Sequence, residues 1–343
     1  MQTRHFDLVI IGTGSGNSII GPDHDELDIA IIEKGLFGGT CLNVGCIPTK
    51  MFVYPADVVG AATHAQQLGV THAEAKIDWP AIRDRIFGRI DQIPPAGERY
   101  RQSLPNVTVY KGQAKFVGER TIDTGTGEVI TGEQVVVAAG GRPIMPNIPG
   151  LEHADPARGV HTNDTVMRME ALPDRMIIIG AGFIAAEFAH VFSTFGVDLE
   201  WLQRSDIALR DEDETVSEVF TEYAVKNNGL HLNTTVTDAS YDGGVWTLTT
   251  QSPDGERTYQ AETVLIAIGR EPNTDLIDAR AGGIALHPDG RIIVDEYQRT
   301  NVPGVWALGD ISSDWQLKHV ANLEARTIAH NLTRPDDLIA SDH

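Results

Sequence analysis

An apolar run that ends at once in a glycine-rich turn occurs twice in this chain. The run Asp7–Ile11 ends at Gly12, and the run Met176–Ile179 ends at Gly180, 168 residues after the first glycine. Such a run is typical of a parallel strand buried on both faces, and a glycine turn after it opens a βαβ unit. The repeat predicts an α/β fold with two Rossmann-like dinucleotide-binding domains, with β-rich inserts in the segments between the units.

The first turn has the residue types that hold a dinucleotide pyrophosphate. A side chain here would block the approach of the phosphates to the backbone, which is why Gly12, Gly14 and Gly16 suit the site. The third fingerprint position holds Asn17 instead of Gly or Ala, which weakens the case for close helix–strand packing. Glu33 ends the second apolar run, where its carboxylate would accept both ribose hydroxyls of an adenosine. The alternative to a site for FAD or NAD is an ordinary tight turn.

The second turn fills all three fingerprint positions, with Gly180, Gly182 and Ala185. At residues 202–204, where the next apolar run ends, there is no acidic residue, and Arg204 and Arg210 are available instead. Because guanidinium groups suit a 2′-phosphate, this unit is predicted to bind NADPH. The alternative for Arg204 is a solvated surface arginine.

Charge and composition exclude several classes of protein. The 343 residues include 27 Lys and Arg against 48 Asp and Glu, a net charge of −21, which repels nucleic acids and anionic membranes. No apolar run approaches the roughly 20 residues of a membrane helix, and no signal peptide is apparent. Two cysteines in so long a chain do not make a disulfide framework, so the cytoplasm is the expected compartment.

The two cysteines, Cys41 and Cys46, lie in a glycine-rich stretch that ends at Lys50. Five residues along an ideal helix advance roughly 7.5 Å, too far for a disulfide, so a bridge requires Cys41 to lie in a non-helical turn before the helix. A bridge that closes so short a loop adds little stability and suits a redox carrier. A helix N-terminus would also favour the thiolate form. Two buried structural thiols are the alternative; further ligands for a metal site are missing nearby, and none is expected.

Three stretches together resemble the pyridine nucleotide–disulfide oxidoreductases: Gly12–Ser18, Phe37–Val53 and Leu317–Asn322. The resemblance covers essentially the whole chain. It implies a glutathione-reductase-like pair of FAD- and NAD(P)-binding domains and a reductase that passes hydride from NADPH through FAD to a cysteine pair. The substrate it implies is a low-molecular-weight disulfide.

The resemblance also implies roles for individual residues. Cys41 would be the interchange thiol, Cys46 the thiol next to the flavin, and Lys50 would approach the flavin N5 and pair with Glu187. The residues implied to contact FAD are Gly12, Gly14, Gly16, Glu33, Thr40, Lys50, Ala114, Asp310, His319 and Val320. Those implied to contact NADPH are Gly180, Gly182, Phe183, Ile184, Arg204, Arg210 and Arg270.

The same resemblance implies a division of the chain. Residues 1–148 and 269–333 form the FAD-binding domain, residues 149–268 the NADPH-binding domain, and residues 334–343 the start of a linker. In the family a C-terminal dimerisation domain follows, and its His, backed by a Glu, protonates the leaving thiol in the partner's site. No equivalent His and Glu occur in this sequence, so the homodimer of the family is not expected of this chain alone.

Two other interpretations stay open at this point. One is a lipoamide-type dehydrogenase that works with NAD, against which Arg204 and Arg210 argue. The other is a flavin-binding module that binds both nucleotides without disulfide turnover. His319 is equally compatible with a half-buried structural histidine. Lys50 and Glu187 are compatible with a plain structural ion pair.

Overall fold

The chain has two main sheets, and in each of them the strand that precedes a glycine turn lies between parallel strands on both sides. The computed structural model describes residues 3–65, 68–70 and 76–342. Its strands are β1 Arg4–Ile11, β2 Ile29–Ile32, β3 Val107–Tyr110, β4 Lys115–Gly118, β5 Thr121–Asp123, β6 Val129–Val137, β7 Gly141–Pro143, β8 Val160–His161, β9 Arg175–Ile179, β10 Asp198–Leu202, β11 Leu230–His231, β12 Thr235–Asp242, β13 Val245–Ser252, β14 Gly255–Ala261, β15 Thr263–Ile266, β16 Arg270–Pro272 and β17 Val305–Ala307. Its α-helices are α1 Gly39–Asn43, α2 Cys46–Ala65, α3 Trp79–Ile90, α4 Ile93–Ser103, α5 Phe183–Thr194, α6 Glu214–Asn227 and α7 Lys318–Thr333.

The chain divides into two compact units. The first contains the described residues of 1–43, 89–142 and 271–343, and the second those of 44–88 and 143–270. The short strands β7 and β16 pair with each other, and each contains a residue at which the chain passes from one unit to the other. The predicted domain boundaries, at 148 and 268, lie close to two of these division points, whereas residues 44–88, predicted in the FAD-binding domain, belong to the second unit. The division into domains and the cofactor that each domain binds stay predictions.

In the first unit the parallel strands run in the order β3, β2, β1, β6 and β17. The antiparallel pair β4 and β5 extends the sheet from the N-terminal half of β6. Since β2 and β6 lie on opposite sides of β1, the strand order reverses there, and ligands of open α/β sheets bind at such a switch point. Gly12 follows β1 directly, so the predicted nucleotide turn lies at this point.

The second unit repeats this order. All strands of its main sheet are parallel, in the order β11, β10, β9, β15 and β8, with β9 before the second glycine turn. A separate antiparallel sheet of β12, β13 and β14 supplies the predicted β-rich insert. The predicted α/β class and the repeated Rossmann-like architecture are confirmed.

Both faces of the first sheet are buried, as the apolar run of β1 predicts. Val9 and Ile11 belong to one hydrophobic cluster, and Leu8 and Ile10 belong to another. Successive side chains of a strand point to opposite faces, so each face of the sheet carries its own core.

The second unit is held by an aromatic cluster between three helices. Phe52 of α2 stacks on Trp79 of α3, with ring centroids 5.0 Å apart, and Trp79 lies 6.0 Å from Phe192 of α5. The indole of Trp79 also donates to the Met169 carbonyl at 2.8 Å. These contacts fix α2 against α5, which positions the side chains at their N-terminal ends.

Two helical segments differ from what the sequence predicts. A βαβ unit predicts a short helix after Asn17, but the chain forms only a 3-10 turn, Ser15–Ser18, followed by a second 3-10 turn, Pro22–His24. Isoleucines at helical spacing predict an amphipathic helix over 80–104 that is broken at Pro94 and Pro95. The break lies instead at Asp91 and Gln92, and the two prolines lie in the first turn of α4. Proline lacks only an N–H that is unsatisfied in a first turn anyway, so the prolines start the second helix and do not end the first.

Among the described residues, no helix is both long and apolar enough to cross a bilayer.

His24 makes the stability of the first unit depend on pH. Its side chain is 3% exposed, and neither ring nitrogen has a hydrogen-bond partner among the described residues. Burial lowers the pKa of His24 below its ordinary value of 6.5. Below that pH the unfolded chain therefore takes up a proton that the folded chain refuses, and the free energy of unfolding falls as the pH falls.

We expect His24→Leu to reduce this loss of stability between pH 6.5 and pH 5. One proton accounts for at most about 1.4 kcal/mol per pH unit. Urea unfolding of the flavin-free protein at several pH values measures the slope, with exposed His153→Gln as the matched control. Burial also lowers the pKa of His161, so this histidine adds its own pH dependence to the free energy of unfolding in every variant. An unchanged slope in His24→Leu contradicts the assignment.

Candidate active site

The first glycine of each turn is required by the fold itself. Gly12 has φ +98° and Gly180 has φ +104°, values that favour glycine. A Cβ at Gly12 would overlap the carbonyl oxygen of Ala138, and one at Gly180 would overlap that of Ala267. Neither position therefore accepts a side chain, whether or not a nucleotide binds.

An equivalent pair of backbone hydrogen bonds holds each of the two turns. In the first unit, the N–H of Gly12 donates to the Ile32 carbonyl at 2.9 Å and the N–H of Ala138 to the Ile11 carbonyl at 2.8 Å. In the second unit, Gly180 donates to Leu202 at 2.9 Å and Ala267 donates to Ile179 at 2.9 Å. The two sites are thus built alike at the backbone level.

The second glycine of each turn faces open space. A Cβ at Gly182 would meet no atom within 4 Å, and one at Gly14 would meet only Gly39, at 3.8 Å. Packing within the chain does not demand glycine at these two positions. An unfilled cradle at the end of a central parallel strand suits a dinucleotide pyrophosphate, which needs the backbone at close range.

The third fingerprint role in the first unit belongs to Gly16. A Cβ on Gly16 would lie 2.7 Å from the Cβ of Ala138 and 3.2 Å from Ile10. By spacing, Asn17 holds this position and weakens the case for close packing, but the residue that packs closely against the sheet is Gly16. The short 3-10 turn brings Gly16 against the sheet one residue early.

The cysteine motif starts directly on the first turn. A Cβ on Gly39 would lie 2.6 Å from the Cα of Gly14, so the N-terminus of α1 packs against the glycine loop. This contact brings half-buried Thr40 and Cys41 next to the loop. Cys41 lies within the short helix α1 and not in the expected non-helical turn, but the two cysteines lie on separate helices, so the spacing along one continuous helix does not exclude a bridge. The interruption falls later, at Val44 and Gly45, before α2 begins at exposed Cys46.

Glu33 is held beside the first turn by three donors. Its Oε2 accepts from the N–H and the hydroxyl of Thr13, at 2.9 and 2.7 Å, and its Oε1 accepts from the N–H of Gly35 at 2.7 Å. These bonds orient the carboxylate at the end of β2. A carboxylate has about four acceptor positions, so a ribose hydroxyl can still be accepted.

The return segment of the first unit meets the same loop. The Ser15 hydroxyl donates to Asn322 of α7 at 3.0 Å, and buried Glu324 of α7 accepts from the N–H of Gly309 at 2.7 Å. The second bond ties the Gly309–Ile311 turn, with half-buried Asp310, to α7. Sequence reasoning missed Ser15, Asn322 and Glu324, although the motif that contains Asn322 was recognised.

Other residues predicted in the first unit differ in exposure. His319 is exposed and Val320 is half-buried in the first turn of α7, and Ala114 is buried between β3 and β4. The exposure of His319 argues against the alternative of a half-buried structural histidine.

In the second unit, α5 starts immediately after Gly182. Gly182 is the N-cap residue, and Phe183 and Ile184 form the first turn, with Phe183 52% exposed. Ala185 is fully buried, as the fingerprint requires. The Trp201 indole supports the loop by donating to the Gly180 carbonyl at 2.6 Å.

The three arginines predicted at this site have different surroundings. Arg204 and Arg210 are exposed, and Arg210 lies 3.6 Å from Asp211. Arg270 is half-buried and donates to the Asn163 side chain at 3.3 Å. Arg204 and Arg210 follow the strand after the glycine turn, where the dinucleotide fold places the group that reads a ribose 2′ position.

Lys50 and Glu187, predicted as a pair, form an ion pair between α2 and α5. Lys50 lies one helical turn after Cys46, and its side chain is 69% exposed. Just before Cys46, the Val44 carbonyl accepts from Asn163 at 3.1 Å, and the Gly45 carbonyl accepts from the Thr49 hydroxyl at 2.8 Å. These bonds fix the start of the cysteine helix.

Asp164 lies beside this region. Burial raises the pKa of its carboxyl, and Arg270 and the Asn163 side chain oppose that shift. The described residues contain no group of three or more His, Cys, Asp or Glu side chains arranged to hold a metal ion.

Comparison with known proteins identifies the family. Residues 6–325 match the pyridine nucleotide-disulphide oxidoreductase family, and the chain belongs to it. It is 46% identical to mycothione reductase of Mycobacterium tuberculosis over 349 aligned residues, which cover 98% of this chain and 74% of the relative. It is 32% identical to dihydrolipoyl dehydrogenase of Halobacterium salinarum, covering 94% of this chain and 69% of the relative.

A solved structure has the same fold. The HOCl-induced flavoprotein disulfide reductase RclA from Escherichia coli matches with a TM-score of 0.82 and 25% identity, covering 98% of this chain and 73% of that chain. The family resemblance drawn from the three sequence motifs is confirmed. The forms of the motifs at Phe37–Val53 and Leu317–Asn322 point to mycothione reductase within the family, and the 46% identity agrees with that resemblance.

The two glycines of the second turn separate a structural requirement from a ligand requirement. We expect Gly180→Ala to destabilise the protein by about 2–4 kcal/mol, because it adds backbone strain and an overlap with Ala267. Gly182→Ala should cost at most about 1 kcal/mol, the difference between glycine and alanine at an N-cap. It should nevertheless weaken NADPH binding at least about tenfold, because its methyl group occupies the path of the pyrophosphate.

Urea unfolding and NADPH fluorescence titration of both variants give the two measurements. Wild-type NADPH affinity in a folded Gly182→Ala protein would show that the pyrophosphate does not pass over this residue.

Proposed function

We propose that this chain is an FAD- and NADPH-dependent disulfide reductase that acts on mycothione, the disulfide of mycothiol. Family membership and the 46% identity to a mycothione reductase support the reaction class and the substrate. The observation that carries the proposal is the packing of Gly39 on Gly14, because the cysteine motif begins on the nucleotide turn itself.

The residues of the first unit fit an FAD. Gly14 leaves the backbone open to the pyrophosphate, Glu33 is oriented to accept from the adenosine ribose, and Asp310 is proposed to hold the ribityl chain. Thr40, the backbone at Ala114, and His319 with Val320 at the start of α7 are proposed to contact the cofactor as well. Bound FAD would supply the two-electron transfer from a nicotinamide to a disulfide.

The two cysteines do the thiol chemistry. In the reduced protein, the Cys41 thiolate attacks one sulfur of the substrate disulfide, which forms a mixed disulfide and releases the first thiol. The Cys46 thiolate then attacks the Cys41 sulfur, which releases the second thiol and restores the Cys41–Cys46 disulfide. Each departing thiolate takes up one proton, so the two electrons of the dithiol end on the two product thiols.

Lys50 is proposed to act as a fixed positive charge near the flavin N5. Its ion pair with Glu187 holds the ammonium on the cysteine helix, one turn from Cys46. A cation at this place would favour negative charge on nearby thiolate and cofactor atoms.

NADPH is proposed as the reductant, bound at the second turn. Gly180, Gly182, Phe183 and Ile184 form the turn and the first helical residues. Arg204 and Arg210 provide the guanidinium groups for a 2′-phosphate, and Arg270 is proposed to contact the same nucleotide.

The cellular location and the partners of the protein are also proposals. A cytoplasmic location agrees with two redox cysteines kept in a reducing compartment. The resemblance implies a homodimer for the family and not for this chain alone, and the charge of −21 disfavours nucleic-acid and membrane partners.

Anaerobic reduction tests the contact of Cys46 with the flavin. Titration with one equivalent of NADPH should produce a long-wavelength thiolate–flavin charge-transfer absorbance. Cys46→Ser should abolish this absorbance. Cys41→Ser should show it before any reduction, because Cys46 then has no disulfide partner. Persistence of the absorbance in Cys46→Ser contradicts the assignment. Disulfide turnover no faster than oxygen reduction would instead indicate a flavin-binding module.

Nucleotide preference tests the arginines. Arg204→Ala and Arg210→Ala should each raise the KM for NADPH about tenfold or more and leave the KM for NADH unchanged. Arg257→Ala, an exposed arginine on β14 of the same unit, is the control. A wild-type preference for NADH would favour a lipoamide-type dehydrogenase.

A further inference from the structure

The first nucleotide turn lacks the long helix that normally follows it. After Gly14 the chain makes only the 3-10 turn Ser15–Ser18, whose N-cap has no side-chain hydrogen bond. In the second unit the corresponding helix, α5, has 12 residues. A long helix concentrates partial positive charge at its N-terminus, so the first site has little of the dipole that usually stabilises a pyrophosphate.

Lys318 places a full positive charge at this turn. Its ammonium donates to the Ser15 hydroxyl at 2.9 Å, and that hydroxyl in turn donates to Asn322 at 3.0 Å. Ser15 is only 7% exposed and follows the open position at Gly14 directly. An ammonium has three donors, so Lys318 can bind Ser15 and a phosphate oxygen together.

Arg101 supports the other end of the same 3-10 turn. Its guanidinium donates to the side chain of Asn17 at 2.8 Å and to the carbonyls of Asn17 and Ile20 at 2.5 and 3.5 Å. The residue is 7% exposed, and no carboxylate pairs with it within the described parts of the chain. Burial lowers the pKa of Arg101, as expected for a cation whose charge no protein anion balances.

We propose that Lys318, held by Ser15, binds the pyrophosphate of FAD, and that Arg101 is a positioning residue that holds the shortened turn beneath it. Two side-chain cations thus replace the helix dipole at this site. The inference rests on the proposed FAD site, and it adds residues from α4 and α7 to the glycine fingerprint.

Flavin binding to the deflavinated full chain tests the inference. Quenching of flavin fluorescence gives the FAD dissociation constant at low and high salt. Lys318→Met should weaken FAD binding at least about tenfold and reduce its salt dependence, and Lys318→Arg should restore most of the affinity. The control is Lys115→Met, which removes the same charge from an exposed position on β4 and should not change either value.

Arg101 is tested by a pair of variants. Arg101→Met should weaken FAD binding and lower the thermal stability of the flavin-free protein, and Arg101→Lys should recover part of both. Affinity for NADPH at the second unit, measured on the same samples, reports whether the rest of the fold is intact and should not change.

The outcomes separate this inference from the proposed function. A wild-type chain that does not bind FAD overturns the proposed function. If the wild-type chain binds FAD, two outcomes overturn only the role of Lys318. One is an unchanged FAD affinity in Lys318→Met, and the other is an equal loss of FAD affinity in Lys318→Met and Lys115→Met. Unchanged FAD affinity in a folded Arg101→Met overturns the role of Arg101.

Discussion

The contact of a glycine with the carbonyl of the neighbouring strand is the constraint on which both sites depend. At Gly12 and at Gly180 the chain leaves a central strand and turns so tightly that no Cβ fits beside Ala138 or Ala267. Each turn is anchored by a backbone hydrogen bond to each flanking strand. Because the sheet fixes the turn, the next glycine, Gly14 or Gly182, stays open toward a ligand. The fold thus makes the cradle, and the cradle does not depend on a ligand for its shape.

Local pattern was sufficient to predict the central strands and their glycine turns, and it failed where distant residues decide the structure. The runs before Gly12 and Gly180 identified the central strands of both sheets, because burial on both faces leaves a continuous apolar signal. The fingerprint spacing points to Asn17 and not to the residue that packs against the sheet, because it assumes an α-helix and the chain forms a 3-10 turn. Arg101, 84 residues from Asn17, and Lys318, 303 residues from Ser15, complete the turn. Contacts this distant in sequence leave no periodic signal.

The net charge of the chain does not describe the charges that lie at the first turn. The chain carries −21 overall, yet two cations, Arg101 and Lys318, lie at the turn where a pyrophosphate is proposed. The overall charge governs solubility and disfavours polyanionic partners. At a contact distance in a half-buried site, the local charges dominate, because screening and solvent weaken the distant ones. An acidic protein with a site for a dianionic cofactor is therefore no contradiction.

The Lys50–Glu187 ion pair follows from the packing of the second unit and does not cause it. With Lys50 69% exposed, an ion pair of this kind contributes little to stability. The burial of Phe52, Trp79 and Phe188 contributes about 1.5–3 kcal/mol for each side chain, and this cluster holds α2 against α5. Removal of the ion pair would therefore leave the two helices in place. A change in redox behaviour in such a variant would report the charge next to the cysteine helix and not a shift of the fold.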